Sequence, residues 1–241
     1  MKGVILAGGT GSRLGRLTTV LNKHLVAVGP VPMIEYPLAT LRKMGINDVT
    51  IVTGAEHAGT IMSYLTKEHP EIDFTYKVQK EARGIAQALG LVENVVHKSK
   101  IAVILGDNIF DYSFYEAGIE FEESDLGAML FLKKVPDPER FGVAEVERDR
   151  IGSIEEKPLH PKSNLAVTGI YFYDESVFDR IRTLRPSARG ELEVTDLNNS
   201  YLFGGRCGYR IIRGFWSDAG THESIRRATQ YIEKKGLETF I

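Results

Sequence analysis

The chain begins MKGVILAGGTGSRLG (residues 1–15), a short apolar run followed at once by glycines. The run VILA is typical of a buried β-strand, and Gly8, Gly9 and Gly11 come directly after it. Backbone N–H groups at the end of such a strand point into a loop where no Cβ is in the way, which makes a nest for an anion. Arg13 adds a guanidinium whose planar fork suits phosphate oxygens. The opening residues therefore predict a phosphate site at the end of the first strand.

Two common phosphate-binding motifs do not fit this loop. A dinucleotide-binding fingerprint would place a glycine where Arg13 stands, and a P-loop would end in Gly-Lys-Ser/Thr. This argues against a dinucleotide-dependent oxidoreductase. The remaining alternative to a phosphate site is a tight strand-to-helix turn that binds nothing.

The composition is typical of an ordinary globular protein and gives no sign of a nucleic-acid-binding or membrane protein. With 241 residues, 43% hydrophobic and 26% charged, the chain has enough core-forming residues for one large α/β domain or two small ones. A formal net charge of −2 gives no reason to expect binding to nucleic acid or to a membrane surface. Cys207 is the single cysteine, which predicts a reducing compartment. With no signal peptide or membrane span in the pattern, we expect a cytoplasmic protein.

The hydrophobic pattern alternates between strands and helices in the first half of the chain and favours strands later. It predicts strands at about 48–53, 74–78 and 101–105, and helices at about 32–45, 57–68 and 114–122. The segment 79–87 leaves the strand before it and enters a further helix that continues to about residue 96. Four further strands follow at 127–133, 142–147, 151–156 and 167–173, a helix is opened by 189–196, and a last helix spans about 221–235. No linker divides the chain. We predict one Rossmann-like α/β domain over residues 1–241, with a mixed, mostly parallel central sheet flanked by helices.

Polar residues follow several of the predicted strands. Gln79 stands at the carboxyl end of a strand, where open α/β sheets bind ligands, and its amide can pair with a nucleobase edge. Gly84 would let a flat base lie against the backbone. Lys23 is near the glycine loop in sequence. For Gln79 and Lys23 the alternative is an ordinary solvated loop residue.

Two aspartates resemble each other in their sequence settings. Asp107 comes directly after the most apolar strand, and Asp218 precedes a short Ala-Gly turn. An aspartate at such a place is usually a turn or cap residue, but beside a phosphate site it becomes a candidate ligand for Mg²⁺. Glu156 and Lys157, at the end of another strand, are by themselves typical of a solvated sheet edge.

Nine segments, in this order, resemble the sugar-phosphate nucleotidylyltransferases over nearly the whole chain. They are LAGGTGSRL (6–14), NKHL (22–25), VQKEARGIAQAL (78–89), LGDNIF (105–110), PERFGVAE (138–145), EEKP (155–158), AVTGIYFYD (166–174), PSARGELEVTD (186–196) and WSDAGTHES (216–224). Nine segments in succession are far more specific than any one of them.

The resemblance implies a reaction. Glucose 1-phosphate attacks the α-phosphorus of dTTP, giving dTDP-glucose and pyrophosphate with Mg²⁺ as cofactor, in the biosynthesis of nucleotide sugars for deoxysugars. Because the attacking phosphate is already an anion, none of the six histidines has to act as a base. The family fold implies a nucleotide-binding half, about residues 1–125, and a sugar-phosphate-binding half, about residues 126–241. It also implies a homo-oligomer, either a dimer or a tetramer.

The resemblance also assigns residues to roles. For the nucleotide it implies Leu6, Ala7, Gly8, Gly9, Gly11, Arg13, Lys23, Gln79, Gly84 and Asp107. For the sugar phosphate it implies Asn108, Gly142, Glu156, Lys157, Val167, Tyr171, Arg189 and Glu191. The implied metal ligands are Asp107 and Asp218, and the implied catalytic charges are Arg13, Lys23 and Lys157.

Some alternatives stay open within this interpretation. Thymine and uracil present the same Watson–Crick edge, so UTP could replace dTTP, and another sugar 1-phosphate could replace glucose 1-phosphate. The base-binding loop reads Glu81-Ala82-Arg83, where many relatives have proline and a smaller or acidic residue. The chain ends soon after its last helix, where longer relatives continue into a helical tail that contributes to a regulatory site. A non-catalytic sensor of nucleotide sugars would be expected to lose Arg13, Lys23 or one of the two aspartates, and all are present.

Overall fold

The computed structural model describes residues 1–19 and 21–241, which form thirteen strands and eight α-helices. The strands are β1 (Lys2–Ala7), β2 (Ala27–Val28), β3 (Val31–Pro32), β4 (Asp48–Gly54), β5 (Asp73–Gln79), β6 (Ile101–Leu105), β7 (Asn108–Phe110), β8 (Ala128–Lys134), β9 (Gly142–Glu147), β10 (Arg150–Glu156), β11 (Leu165–Tyr173), β12 (Cys207–Ile211) and β13 (Trp216–Asp218). The helices are α1 (Glu35–Lys43), α2 (Ala58–Glu68), α3 (Ile85–Gly90), α4 (Glu93–Val96), α5 (Tyr115–Glu123), α6 (Val177–Thr183), α7 (Val194–Leu202) and α8 (His222–Lys235).

Four parallel strands form the centre of the main sheet. Strand β1 pairs with β4 on one side and β6 on the other, and β5 pairs with the far side of β4, all in parallel. The carboxyl ends of parallel strands meet at one edge, so the loops after β1, β5 and β6 lie together there. The predicted α/β fold with a mixed sheet is confirmed.

The second half of the chain extends this sheet by antiparallel pairing. Strand β11 changes its partner along one edge, from β9 at Ala166 to β6 at Ile170–Tyr173. Its other edge pairs with β8, which in turn pairs with β12, and β10 pairs with β9. Two small sheets stand outside the main one, β2 with β3 and β7 with β13.

Helices cover both faces of the sheet because side chains on a strand alternate between the faces. On β1, Ile5 faces a cluster that includes residues of α1, α2 and α5, whereas Val4 faces one that includes residues of α3, α4, α6 and α7. A third cluster packs α8 against β7 through Ile232 and Ile109. Helix α8 is capped by Thr221, which accepts from the Ser224 N–H. Within residues 1–19 and 21–241, no helix is long and apolar enough to cross a membrane.

Some element bounds differ from the sequence predictions. The helix expected to continue to about residue 96 divides into α3 and α4, because the N–H groups of Leu91 and Val92 bond three residues back instead of four. Gly90 at this point is a weak helix former. The helix expected to open within residues 189–196 begins at Val194. The short strands β2, β3, β7, β12 and β13 were not predicted from the hydrophobic pattern.

Candidate active site

Two adjoining cavities open at the carboxyl edge of the parallel strands. The first cavity has a volume of about 350 Å³ and lies over the ends of β1, β5 and β6. Its lining residues are Leu6, Gly8, Gly9, Arg13, Lys23, His24, Gln79, Ala82, Gly84, Ile85, Ala88, Leu105, Asp107 and Glu191.

The second cavity has a volume of about 260 Å³ and is walled mainly by the later strands. Its lining residues are Arg13, Ile85, Leu105, Asp107, Asn108, Arg140, Phe141, Gly142, Glu156, Lys157, Val167, Gly169, Tyr171, Val194, Thr195, Asn198, Trp216 and Asp218. Four residues line both cavities, and two of these are charged, Arg13 and Asp107. A ligand in each cavity would therefore meet the other at these two side chains.

The glycine loop after β1 forms one side of the first cavity. Gly11 has a φ of 70°, and a Cβ there would lie 2.7 Å from the Thr18 methyl carbon, so only glycine fits without strain. The space beside Gly9 is open for at least 4 Å, which leaves its backbone accessible to a ligand. The Ala7 side chain is fully buried among core residues, and only its main chain could meet a ligand.

Arg13 reaches from this loop to the far side of the site. Its guanidinium lies against Gly220, where a Cβ would come within 2.7 Å of Nη2. Gly220 follows the strand that carries Asp218, so the Arg13 charge lies near that carboxylate. This reach explains why Arg13 lines both cavities.

The loop between β5 and α3 forms the opposite side of the first cavity. The Gln79 amide nitrogen donates to Gln87 Oε1 at 2.7 Å, so its orientation is held by the protein. Gly84 has a φ of 100°, and a Cβ there would overlap the backbone of Leu192. The Leu192 N–H donates to the Arg83 carbonyl at 2.9 Å, and its carbonyl accepts from Ala86 N–H. Gly84 lines the cavity, and its contact with Leu192 also requires a residue without a side chain.

Lys23 and Asp107 form an ion pair at the floor of the first cavity. The Lys23 ammonium contacts Asp107 Oδ2, and its side chain is only 7% exposed. Burial by itself would raise the pKa of Asp107, but the Lys23 charge and hydrogen bonds from Lys23 and Asn108 lower that pKa to about 2. Asp107 is therefore an anion at neutral pH.

Asp218 has a different environment. Burial and the charge of Asp107 raise the pKa of Asp218, against the opposing charges of Arg140 and Arg13. Arg140 Nη2 lies 3.7 Å from Asp218 Oδ2. Among the side-chain atoms of residues 1–19 and 21–241, Asp218 Oδ1 is the buried polar atom without a hydrogen-bond partner.

The two aspartates fit a divalent ion that takes most of its ligands from elsewhere. A buried carboxylate oxygen without a partner is costly unless a cation or donor meets it. Over the described ranges 1–19 and 21–241, no three His, Cys, Asp or Glu side chains cluster as a metal site. Mg²⁺ commonly binds through one or two carboxylates and completes its shell with phosphate oxygens and water. The donor set therefore suits an ion that arrives with a phosphorylated ligand.

Hydrogen-bonding residues line the second cavity away from the shared wall. Glu156 Oε2 accepts from the Thr195 hydroxyl at 2.5 Å, and a Cβ on Gly142 would come within 3.1 Å of that hydroxyl. Lys157 follows Glu156 with a φ of 46°, a left-handed conformation that is uncommon for a residue with a side chain. Its ammonium lies 3.6 Å from Glu156 Oε1 and is half exposed. Val167 and Tyr171 lie on alternate positions of β11 with Gly169.

Two of the predicted sugar-phosphate residues lie elsewhere. Arg189 lines neither cavity, and its guanidinium is held by Glu193 at 2.9 Å, with Glu156 Oε1 at 3.8 Å. Glu191 lines the first cavity instead of the second. Both belong to the segment 187–193, which is bonded by its backbone to the loop between β5 and α3, and Arg189 connects it to Glu156.

His24 lies at the floor of the first cavity and is buried. Burial, together with the charge of Lys23, lowers the pKa of His24 to about 3. Its Nδ1 lies 3.0 Å from Asn22 Oδ1, which also accepts from the His24 backbone N–H. The ring is therefore neutral at physiological pH, with its proton on Nδ1.

Among the lining residues that sequence reasoning missed are His24, Arg140, Thr195 and Trp216. Each stands within one of the nine quoted segments, so position in a motif was the available signal. Arg140, which precedes β9 and so reaches the same edge, could have been found from its place in PERFG.

Comparisons with known proteins identify the family of this chain. The family model described as nucleotidyl transferase matches residues 2–235. The glucose-1-phosphate thymidylyltransferase of Neisseria meningitidis serogroup A is 43% identical over 238 residues, covering 97% of this chain and 83% of the relative. The enzyme of that name from Mycobacterium tuberculosis is 37% identical over 249 residues, covering 100% and 86%.

A crystal structure gives the same result. A Bacillus anthracis protein, crystallised with sucrose and assigned as a glucose-1-phosphate thymidylyltransferase, shares 51% identity with a TM-score of 0.93. The match covers 98% of this chain and 96% of that one. The chain belongs to the nucleotidyl transferase family, and it is an enzyme of that kind. Nucleotidyltransferases of this family generally use a divalent metal.

Proposed function

We propose that the chain transfers a thymidylyl group from dTTP to glucose 1-phosphate, giving dTDP-glucose and pyrophosphate. The similar enzymes of Neisseria and Mycobacterium carry that name. The observation that carries the proposal is the pair of adjoining cavities with Arg13 and Asp107 in their common wall. A transfer between two phosphorylated substrates needs them side by side, with charge at the point of contact.

The nucleotide occupies the first cavity in this proposal. Gly8, Gly9 and Leu6 border it at the end of β1, and Gln79 and Gly84 border it on the base side. Glucose 1-phosphate occupies the second cavity, whose lining includes Gly142, Glu156, Lys157, Val167, Tyr171 and Thr195. This division extends to the chain as a whole, with about residues 1–125 serving the nucleotide and about 126–241 the sugar phosphate. We further propose a homo-oligomer, a dimer or a tetramer, which light scattering tests directly.

The chemistry requires positioning and charge more than proton transfer. A phosphate oxygen of glucose 1-phosphate attacks the α-phosphorus of dTTP, and the bond to the β-phosphate oxygen breaks with pyrophosphate as leaving group. Arg13 lies where it can stabilise the negative charge that develops between the cavities, and Lys157 borders the cavity of the attacking phosphate. The neutral His24 is consistent with a reaction that needs no general base.

We infer that the divalent metal is Mg²⁺, held by Asp107 and Asp218. When bound, it would neutralise phosphate charge as a Lewis acid. Lys23 already compensates the negative charge of Asp107, whereas Asp218 Oδ1 has no hydrogen-bond partner among the described residues.

The test is a matrix of nucleoside triphosphates against sugar 1-phosphates, read out as pyrophosphate release by the purified chain. The fastest release is expected with dTTP and glucose 1-phosphate in the presence of Mg²⁺. Each triphosphate without a sugar phosphate is the control for simple hydrolysis. Faster release with UTP would reassign the nucleotide, another preferred sugar would reassign the acceptor, and no release with any pair would contradict an enzymatic role.

A further inference from the structure

Asn108, the first residue of β7, is bonded to three different parts of the site. It follows Asp107 directly and is only 1% exposed. Its Nδ2 donates to Asp107 Oδ1 at 2.8 Å. Its Oδ1 accepts from the Gly169 N–H at 3.0 Å and from Trp216 Nε1 at 2.7 Å. The amide therefore joins the shared wall to β11 and β13.

These bonds determine which way the amide faces. An amide oxygen has two lone pairs and cannot donate, so the two N–H groups of Gly169 and Trp216 both require it. The amide nitrogen must then face the Asp107 carboxylate. The backbone of β11 packs closely here as well, since a Cβ on Gly169 would come within 2.6 Å of the Asn108 amide.

The Asp107 carboxylate is held at both of its oxygens as a result. Lys23 contacts Oδ2, and Asn108 donates to Oδ1. An ion pair alone leaves a carboxylate free to rotate, whereas a second donor of fixed direction defines its plane. The direction of the Asn108 amide nitrogen is in turn fixed by Gly169 and Trp216, which line the second cavity.

We propose that Asn108 is a positioning residue that orients Asp107 from the wall of the second cavity, and that it does not itself bind the sugar. Both lone pairs of its oxygen are used within the protein. The inference rests on the proposed function, because the effect of a misplaced Asp107 is measured as thymidylyl transfer. The expected consequence of losing this contact is slower chemistry with sugar-phosphate affinity largely kept.

Asn108→Asp tests the proposal with little change in shape. The new carboxylate still accepts from Gly169 and Trp216, but it presents an oxygen to Asp107 where a donor stood, so the two carboxylates repel. We expect kcat to fall about a hundredfold, as for a reacting group displaced by about 1 Å. Asn198→Asp is the matched comparison, since Asn198 is also 1% exposed, lines the second cavity and keeps its bond from the Tyr173 hydroxyl.

Binding of glucose 1-phosphate, measured by calorimetry without nucleotide or metal, separates positioning from binding. We expect Asn108→Asp and Asn198→Asp to agree in Kd within about threefold, with kcat at least about tenfold lower for Asn108→Asp. A much weaker Kd for Asn108→Asp alone would make Asn108 a sugar ligand, and equal kcat values would remove its role. If Asn108→Asp does not fold, Trp216→Phe deletes one bond to Asn108, and unchanged kcat there overturns the proposal. An inactive wild-type chain would instead refute the proposed function.

Discussion

Asp107 and Asp218 are two neighbouring carboxylates with opposite surroundings. Asp107 has a lysine at one oxygen and an amide at the other, and its pKa is lowered to about 2. Asp218 has an arginine nitrogen 3.7 Å from one oxygen and no hydrogen-bond partner at its other, buried oxygen, and its pKa is raised. The negative charge of Asp107 therefore stabilises the folded state, whereas a negative charge on Asp218 destabilises it. A residue that opposes folding is often retained for function.

This difference predicts that substitutions of the two aspartates lower activity alike but change the free energy of unfolding differently. Asp218→Asn and Asp107→Asn should each lower kcat at least about a hundredfold, as for loss of a transition-state charge contact. Asp218→Asn should keep or raise the free energy of unfolding, because it removes a buried anion. Asp107→Asn should lower it by about 3 kcal/mol, because Lys23 loses its buried partner. Urea unfolding measures both values, and equal losses of stability would contradict the two environments.

The Arg13 guanidinium, which lines both cavities, is the basis of a second prediction. Arg13→Ala should lower kcat at least about a hundredfold, because the guanidinium borders both substrates in the proposed function. Arg16→Ala is the control, since Arg16 is exposed three residues further along the chain and lines neither cavity. Near-normal pyrophosphate release by Arg13→Ala would exclude the assigned role.

Residues directly after apolar strands could be predicted from the sequence, and others could not. Asp107 and Gln79 follow strands whose ends must meet at one edge of a parallel sheet, so their proximity follows from the fold. Arg140, in the connection before β9, and Trp216, at the start of β13, are placed by long-range antiparallel pairing of their strands. The ion pairing of Arg189 with Glu193, which holds it outside both cavities, depends on side-chain contacts that no periodicity encodes.

At the scale of elements, the segment 187–193 connects the two sides of the site. Leu192 pairs by its backbone with Arg83 and Ala86 beside the first cavity, and Arg189 lies near Glu156 of the second cavity. The contact is close enough that Gly84 has no room for a side chain. The loop after β5 is therefore shaped by a segment more than a hundred residues later in the chain.

Gly84→Ala tests this contact. The new methyl group would overlap the Leu192 backbone and adopt a φ of 100°, so we expect lower stability and a raised KM for dTTP. Gly59→Ala is the matched control, because Gly59 lies in α2 with open space at its Cβ. That substitution should raise the free energy of unfolding by about 0.4–1 kcal/mol. A Gly84→Ala variant as stable as the wild type would show that Leu192 can move away.

At the scale of the whole molecule, the buried His24 makes folding depend on pH. Its pKa is about 3 in the folded chain and about 6.5 when unfolded. Between these values the unfolded chain binds a proton that the folded chain does not, so stability falls as pH falls through this window. The slope from one such group reaches about 1.4 kcal/mol per pH unit. The contribution of Asp107 is lost only lower, below its unfolded pKa of about 3.8.

His24→Gln should therefore flatten the dependence of stability on pH between about 6 and 4. Urea unfolding at several pH values measures the slope for wild type and variant. His160→Gln, at an exposed position, is the control and should leave the slope unchanged. An equal slope for His24→Gln and wild type would mean that another group causes the loss of stability in acid.

The alternation of side chains along β11 has a consequence for how the specificity of this enzyme could evolve. Alternate residues of that strand, Val167, Gly169 and Tyr171, line the second cavity, while Thr168 between them is buried and bonded to the Phe131 carbonyl. The strand is thus anchored by its backbone and by its opposite face. We expect single mutations at the partly buried Val167 to reshape the pocket without moving the strand, whereas Tyr171 also belongs to the buried core. With the acceptor sugar in the second cavity, as proposed, a gene of this family could acquire a new acceptor in small steps while the strand keeps its place in the sheet.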